Sequence, residues 1–182
     1  MAPGFGRLLA LDDYPGDLRA WVLGLKHGRR ELAEPLSRLV FERLVAAGWW
    51  PAVGVAPVLV PVPAHPLRRL ERGQDAPLLL ARALGRQTHW PVRRLLRRRR
   101  YTPPQGEPGS ASRSANVRGA FAPRPVVRRW RWRQGAGEPT VVLVDDVVSS
   151  GATLSECARV VRSLGVRFVG AVCLARAERA RA

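Results

Sequence analysis

The chain reads as an α/β protein with a mainly parallel, twisted sheet flanked by helices. Three observations predict this class. Strand-like and helix-like segments alternate, with short connections, through most of the sequence. The strand-like segments are continuous apolar runs, the pattern of strands covered on both faces. The helix-like segments keep their apolar residues on one face. At 182 residues the chain suits a single domain, and a chain of this size buries roughly 70% of its unfolded surface without a disulfide or metal staple. Within that domain the sequence divides into an N-terminal helical segment, 1–50, and a core, 51–182, that contains a long loop, 100–119.

The elements follow in order. Residues 17–29 place Leu18, Trp21, Val22 and Leu25 on one helical face, with Gly28 as a stop. Residues 31–47 repeat that period through Leu32, Leu36, Leu39, Val40 and Leu44. Pro35 falls in the first turn, where a missing N–H is tolerated. No element is assigned before residue 17. The stretch Val53–Val62 is dense in Val and Pro and reads as a buried strand ending in a turn at Pro61–Pro66. Residues 76–87 read as a helix, followed by a short strand near Val92–Leu96. Residues 100–119 (RYTPPQGEPGSASRSANVRG) are nearly free of apolar side chains. Loops longer than about 12–15 residues are usually functional or disordered. Residues 126–133 alternate apolar with Arg, as an edge strand does, and 134–139 read as a turn. A strand at Thr140–Val144, a helix from about Gly151 to Leu164 and a strand at Val166–Leu174 complete the pattern.

Charge and cysteine content narrow the function classes. Lys and Arg number 31 against 14 Asp and Glu, a net charge of +17, and Lys26 is the one lysine among them. Such an excess fits a polyanionic partner, or a composition rich in Arg, Ala, Gly and Pro throughout. The longest apolar stretches are strand-sized, well below the ~20 residues of a membrane span, so no membrane association is expected. No basic segment followed by an apolar one opens the chain, and a cytoplasmic protein is expected. Cys157 and Cys173 match no zinc spacing and read as buried, reduced thiols. His27, His65 and His89 are scattered and form no ligand pair.

The segment VVLVDDVVSSGAT, 141–153, carries the chemistry. Four aliphatic residues form a strand, Asp145 and Asp146 stand at its carboxyl end, and a Ser-Ser-Gly turn leads into a helix. Ligands of open α/β sheets bind at that edge. A helix N-terminus there offers free N–H groups and a partial positive charge to a phosphate. Gly151 lets the backbone approach closely, Ala152 continues the turn, and Ser149, Ser150 and Thr153 add hydroxyl donors. Carboxylates accept hydrogen bonds from hydroxyls but repel a phosphate beside them. The pattern therefore asks for a ligand with a phosphate at one end and vicinal hydroxyls a few ångströms away, as in a ribose 5-phosphate. An ordinary capped turn would explain one acid or one serine, not the whole segment.

This segment resembles the phosphoribosyl pyrophosphate (PRPP) motif of type I phosphoribosyltransferases. Three further stretches resemble the ComF-type, competence-associated branch: residues 14–36, with Leu25-Lys26; VPVPAHPLRRLERG at 60–73; and RRYTPPQGEPGSASRSANVRGAF at 99–121. The resemblance implies the type I phosphoribosyltransferase fold, with a small variable hood that includes 1–50. It implies that Asp145 and Asp146 contact the ribose hydroxyls, and that Ser149, Ser150, Gly151, Ala152 and Thr153 wrap the 5-phosphate. It puts Val62, Pro63, Ala64, His65, Arg68 and Arg72 on the pyrophosphate side, and Thr102, Gln105, Arg113 and Asn116 on a flexible loop that closes over the ligand. It implies Mg²⁺ held mainly by the pyrophosphate rather than by protein side chains, and a homodimer. Two departures stand beside it. The branch commonly carries two CxxC pairs forming a zinc ribbon, and none occurs in these 182 residues; Gln74-Asp75-Ala76 replaces a usual Phe-Asn-Gln.

Read from the residues alone, His65 is more often a turn residue, and Arg68 and Arg72 either bind phosphate oxygens or face solvent. Lys26 is a candidate phosphate or acceptor contact. The expected reaction is phosphoribosyl transfer from PRPP to a nitrogen acceptor such as a nucleobase, with release of pyrophosphate. Two alternatives stay open. One is a PRPP- or nucleotide-sensing module without turnover. The other is a single-stranded DNA accessory factor using Arg97–Arg100 and the interleaved Arg and Trp of 128–133, where inward-packed Trp130 and Trp132 are the plainer reading.

Overall fold

The computed structural model describes residues 6–13, 17–49, 56–64, 75–100, 117–125, 127 and 140–177. In chain order the elements are β1 (Arg7–Asp13), α1 (Asp17–Lys26), a 3-10 turn (Arg30–Leu32), α2 (Ala33–Ala46), β2 (Val58–Pro61), α3 (Ala76–Thr88), β3 (Leu96–Arg98), β4 (Phe121–Pro123), β5 (Thr140–Val144), β6 (Val147–Val148), α4 (Ala152–Arg162) and β7 (Arg167–Arg176).

The main sheet has the order β1–β7–β5–β2, with β6 also paired to β7, and all these pairings are parallel. Val92 extends it by one bridge to Leu59. β3 and β4 form a separate antiparallel pair, with Arg98 opposite Phe121. The apolar runs of β5, β2 and β7 are buried on both faces, as their composition predicts. Val141 and Leu143, with Ala171 and Cys173, face one core beneath α4 and the β3–β4 pair. Val142 and Val144, with Val172 and Leu174, face the other, beneath α1, α2 and α3. This alternation is the two-residue period of a strand.

The N-terminal stretch is built into this second core. Val22 and Leu25 of α1 and Leu36, Val40 and Leu44 of α2 pack with Leu80 and Leu84 of α3. It carries a strand as well as helices, which the sequence pattern does not reveal. β1 follows β7 from Arg7 opposite Gly170 to Asp13 opposite Arg176. Gly170 makes this close seam workable: a Cβ there would collide with the Arg7 carbonyl and lie 2.7 Å from Trp49. The expected strand near Val92–Leu96 is also corrected. Its first residue bridges the main sheet, and only Leu96 begins a strand, in the other sheet. The helices at 17–29 and 31–47 are shorter than expected, and that at 76–87 ends one residue later. The edge strand expected at 126–133 and most of the 100–119 loop lie outside the described residues. No helix among the described residues is long and apolar enough to cross a membrane.

Candidate functional site

All strands of the main sheet end on one edge because all run parallel. The crossovers that leave this edge diverge. β2 leads into α3 on one face, and β5 leads into α4 on the other. The switch point between β2 and β5 is where such sheets open a crevice for a ligand. The two strand ends meet there: the Val62 N–H donates to the Val144 carbonyl at 2.9 Å, one residue before the acid pair.

The two acids are neighbours in sequence and unlike in surroundings. Asp145 is buried, and its N–H donates to the Val172 carbonyl at 3.0 Å. Asp145 Oδ1 accepts the Asp146 N–H at 2.9 Å. Burial, and then the charge of Asp146, push its carboxyl well above the usual carboxylate range; Lys26 and Arg98 oppose that rise. Asp146 is half-buried. Its Oδ1 accepts the Val147 N–H at 2.7 Å, and its Oδ2 lies 3.3 Å from Lys26 Nζ. The Asp146 carbonyl accepts the N–H groups of Leu174 and Ala175 at 3.1 and 3.2 Å, fixing the backbone between the acids to β7.

Beyond the acids, Ser149 and Ser150 are exposed, while Gly151, Ala152 and Thr153 are half-buried. Gly151 is the N-cap of α4, at φ 72° and ψ 0°, and no side chain caps this helix. That left-handed conformation suits glycine, since a Cβ would be strained there. The Ser150 hydroxyl oxygen approaches the Ala152 N–H at 3.4 Å, a weak contact. The first turn of α4 thus presents N–H groups to an anion.

Val62, Pro63 and Ala64, expected beside a pyrophosphate, are described. The Val62 N–H is committed to β5 and Pro63 has none, so among these three residues a backbone donor for an anion has to come from Ala64. His65, Arg68, Arg72, Thr102, Gln105, Arg113 and Asn116 lie outside the described residues. Lys26, singled out as the lone lysine, reaches the acid pair from the end of α1.

The sequence reading names Arg98 only within the Arg97–Arg100 cluster and does not name Glu156, yet both stand near the site. Arg98 on β3 sits 5.3 Å over the Phe121 ring, and its charge acts on Asp145 and Cys157. Glu156 on α4 is buried; it accepts the Gly119 N–H at 2.8 Å and two hydrogen bonds from Arg159 at 2.8 and 2.9 Å. These bonds hold its carboxyl below the ordinary value. The spacing of Glu156 and Arg159 is visible in the sequence as a helical pair. Its bond to Gly119, 37 residues away, is not. Both cysteines are buried free thiols, as expected. Burial pushes the Cys157 thiol up, and that of Cys173 to about 12.

Comparison with known proteins agrees with this geometry. Residues 80–182 match the family described as "Phosphoribosyl transferase domain". The chain is 31% identical to DNA utilization protein YhgH of Escherichia coli K12 over 178 residues, covering 96% of this chain and 74% of that protein. It is 29% identical to Competence protein F of Haemophilus influenzae over 143 residues, covering 78% of this chain. It spans 60% of the length of that second protein. The Salmonella typhimurium YhgH is 30% identical over 179 residues. The expected parallel sheet with flanking helices, the acid pair at its carboxyl edge and these matches converge: the chain belongs to the phosphoribosyl transferase domain family, in its ComF-type branch.

Proposed function

We propose that the chain binds PRPP with Mg²⁺ at the β2–β5 switch point and transfers the phosphoribosyl group to a nitrogen acceptor. The observation that carries this reading is the pairing of two unlike features on one short segment. Asp145 and Asp146 offer acceptors for ribose hydroxyls, and the uncapped start of α4, 6–7 residues on, offers donors to the 5-phosphate. Charge-assisted hydrogen bonds of this kind contribute about 1.5–3 kcal/mol each, so a phosphate taking several is held firmly.

In this proposal the bond from the anomeric carbon to the pyrophosphate oxygen breaks with its electron pair leaving on pyrophosphate. The acceptor nitrogen lone pair forms the new bond at that carbon, and the proton of the acceptor N–H is lost to solvent or product. The acids position the ribose rather than carry that proton. Among the described residues no three His, Cys, Asp or Glu side chains are grouped to hold a metal ion. The reading puts magnesium on the substrate's pyrophosphate, where it would neutralise charge. The N–H of Ala64 is the described backbone group suited to that side.

A second reading rests on a separate observation. Arg93, Arg94, Arg97, Arg99 and Arg100 are exposed along and beside β3, and the relatives carry DNA utilization and competence in their names. Such a surface suits the phosphates of a single strand. Calorimetry with PRPP in millimolar Mg²⁺, followed by a pyrophosphate-release assay over a panel of nucleobases, separates the readings. Binding with release supports transfer; binding without release supports a sensing module. Absence of PRPP binding, with steeply salt-dependent oligonucleotide binding, favours the accessory reading.

A further inference from the structure

Lys26 has no task in the chemistry above, yet it is built into the site. It ends α1, whose Val22 and Leu25 are fully buried against the sheet, so its ammonium is delivered from a rigid element. Its side chain is 17% exposed and that of Asp146 is 16% exposed, so the contact is shielded from bulk water. The backbone already takes Asp146 Oδ1, and Lys26 takes Oδ2, so both oxygens of this carboxylate are fixed in direction. The other 30 of the 31 lysines and arginines are arginines. A composition that supplies guanidinium at 30 positions and an ammonium at one marks a place where the two differ in effect. An ammonium is a compact point charge that makes one contact here. A guanidinium is a planar fork that tends to take a carboxylate bidentately, occupying lone pairs on both oxygens.

We infer that Lys26 is a positioning residue of the ligand site, gripping Asp146 through a single contact so that the acid pair keeps acceptor positions open for a ligand's hydroxyls. This rests on the ribose-phosphate reading. It makes α1 part of the site, although α1 and the acid pair are about 120 residues apart in sequence. Among the described residues, Lys26 from α1 and Arg98 from β3 act on Asp145, and its charge acts on Cys157 of α4, beside Glu156, and on Cys173 of β7, beside Arg176.

The test uses Lys26→Met and Lys26→Arg in the full chain, with circular dichroism to show that each folds. PRPP binding in millimolar Mg²⁺ is measured by calorimetry, and the Asp145 carboxyl is titrated by carbon NMR in the free protein. In Lys26→Met the affinity falls at least ~10-fold, and Asp145 titrates at higher pH than in the wild type, because a charge that holds it down is gone. In Lys26→Arg the Asp145 titration stays close to wild type, yet the affinity falls by several-fold; a purely structural role for Lys26 would not separate the two readouts. Wild-type affinity in Lys26→Arg overturns the single-contact argument, and an unmoved Asp145 in Lys26→Met overturns the grip itself. If the wild type binds no PRPP, the functional reading fails on its own account. The Asp145 titration alone then decides whether Lys26 holds the pair.

Discussion

Two charged regions of this protein behave differently. Around the carboxyl edge of the sheet three buried or half-buried carboxylates each have a fixed partner: Asp146 with Lys26, Asp145 with the Asp146 backbone, Glu156 with Gly119 and Arg159. Along and beside β3 the arginines are exposed. Where their partners are described, these are carbonyl oxygens, as for Arg93 on Val92 at 3.1 Å and Arg97 on Pro123 at 3.3 Å. Arg98, on the same strand, is the exception, turned inward over Phe121 by the two-residue period. The second region holds five exposed arginines, whereas the candidate chemistry belongs to the first.

That contrast predicts effects of graded size. The largest is at Glu156. Replacing it with Ala leaves the Gly119 N–H without its carboxylate and costs about 1–3 kcal/mol at neutral pH, read as a drop in denaturant midpoint. Its carboxyl is held below the ordinary value, so its contribution is present above pH ~4.5 and is lost as pH falls through the lowered folded value. Wild type and Glu156→Gln therefore converge in acid.

Asp145 works in the opposite sense. Its folded value is raised, so its contribution is fully present below the unfolded carboxyl value and is lost as pH rises through the folded one. Asp145→Asn is expected to raise Tm relative to wild type, by a margin that grows from acid to alkaline pH, while weakening ligand binding. A site that lowers stability to keep an acid in place is the pattern of function. A pH-independent difference would mean that the carboxyl is not held in the environment described.

The thiols give a further check. Cys157 and Cys173 are fully buried and their thiolates are disfavoured. The native protein is expected to leave both unmodified by a small alkylating reagent that labels both after denaturation, with mass spectrometry as the readout. The smallest effect is in the exposed region. Replacing Arg97, Arg99 and Arg100 with Gln changes stability by less than about 0.5 kcal/mol each. If the protein binds single strands through them, the salt slope of that binding falls by roughly 0.7 for each phosphate that is no longer neutralised.

Much of the central architecture was legible from the residues because its signals are local. The run Val141–Val144 is wholly aliphatic and buried on both faces, and the change from that run to Asp-Asp and then to Ser-Ser-Gly marks the strand end and the helix start within about ten residues. β1 was not legible. Its sequence RLLALDD holds four apolar residues beside charged ones, and its place depends on Gly170 leaving room at the edge of β7 for the Arg7 carbonyl and the Trp49 ring. Lys26 and Asp146 each stood out in the sequence, but nothing local records that they meet. The same holds for Glu156 and Gly119. What escapes the sequence is long-range pairing across the sheet edge, and that pairing determines how the candidate site is held together.

The central claim is that the acid pair and the start of α4 form one ribose-phosphate site. Calorimetry of PRPP binding in millimolar Mg²⁺, comparing the wild type with the double variant Asp145→Asn/Asp146→Asn, tests it most directly. Saturable wild-type binding that weakens at least ~100-fold in the variant, or about 2.7 kcal/mol, is the predicted result. Equal binding by both proteins, or none by the wild type, would contradict it.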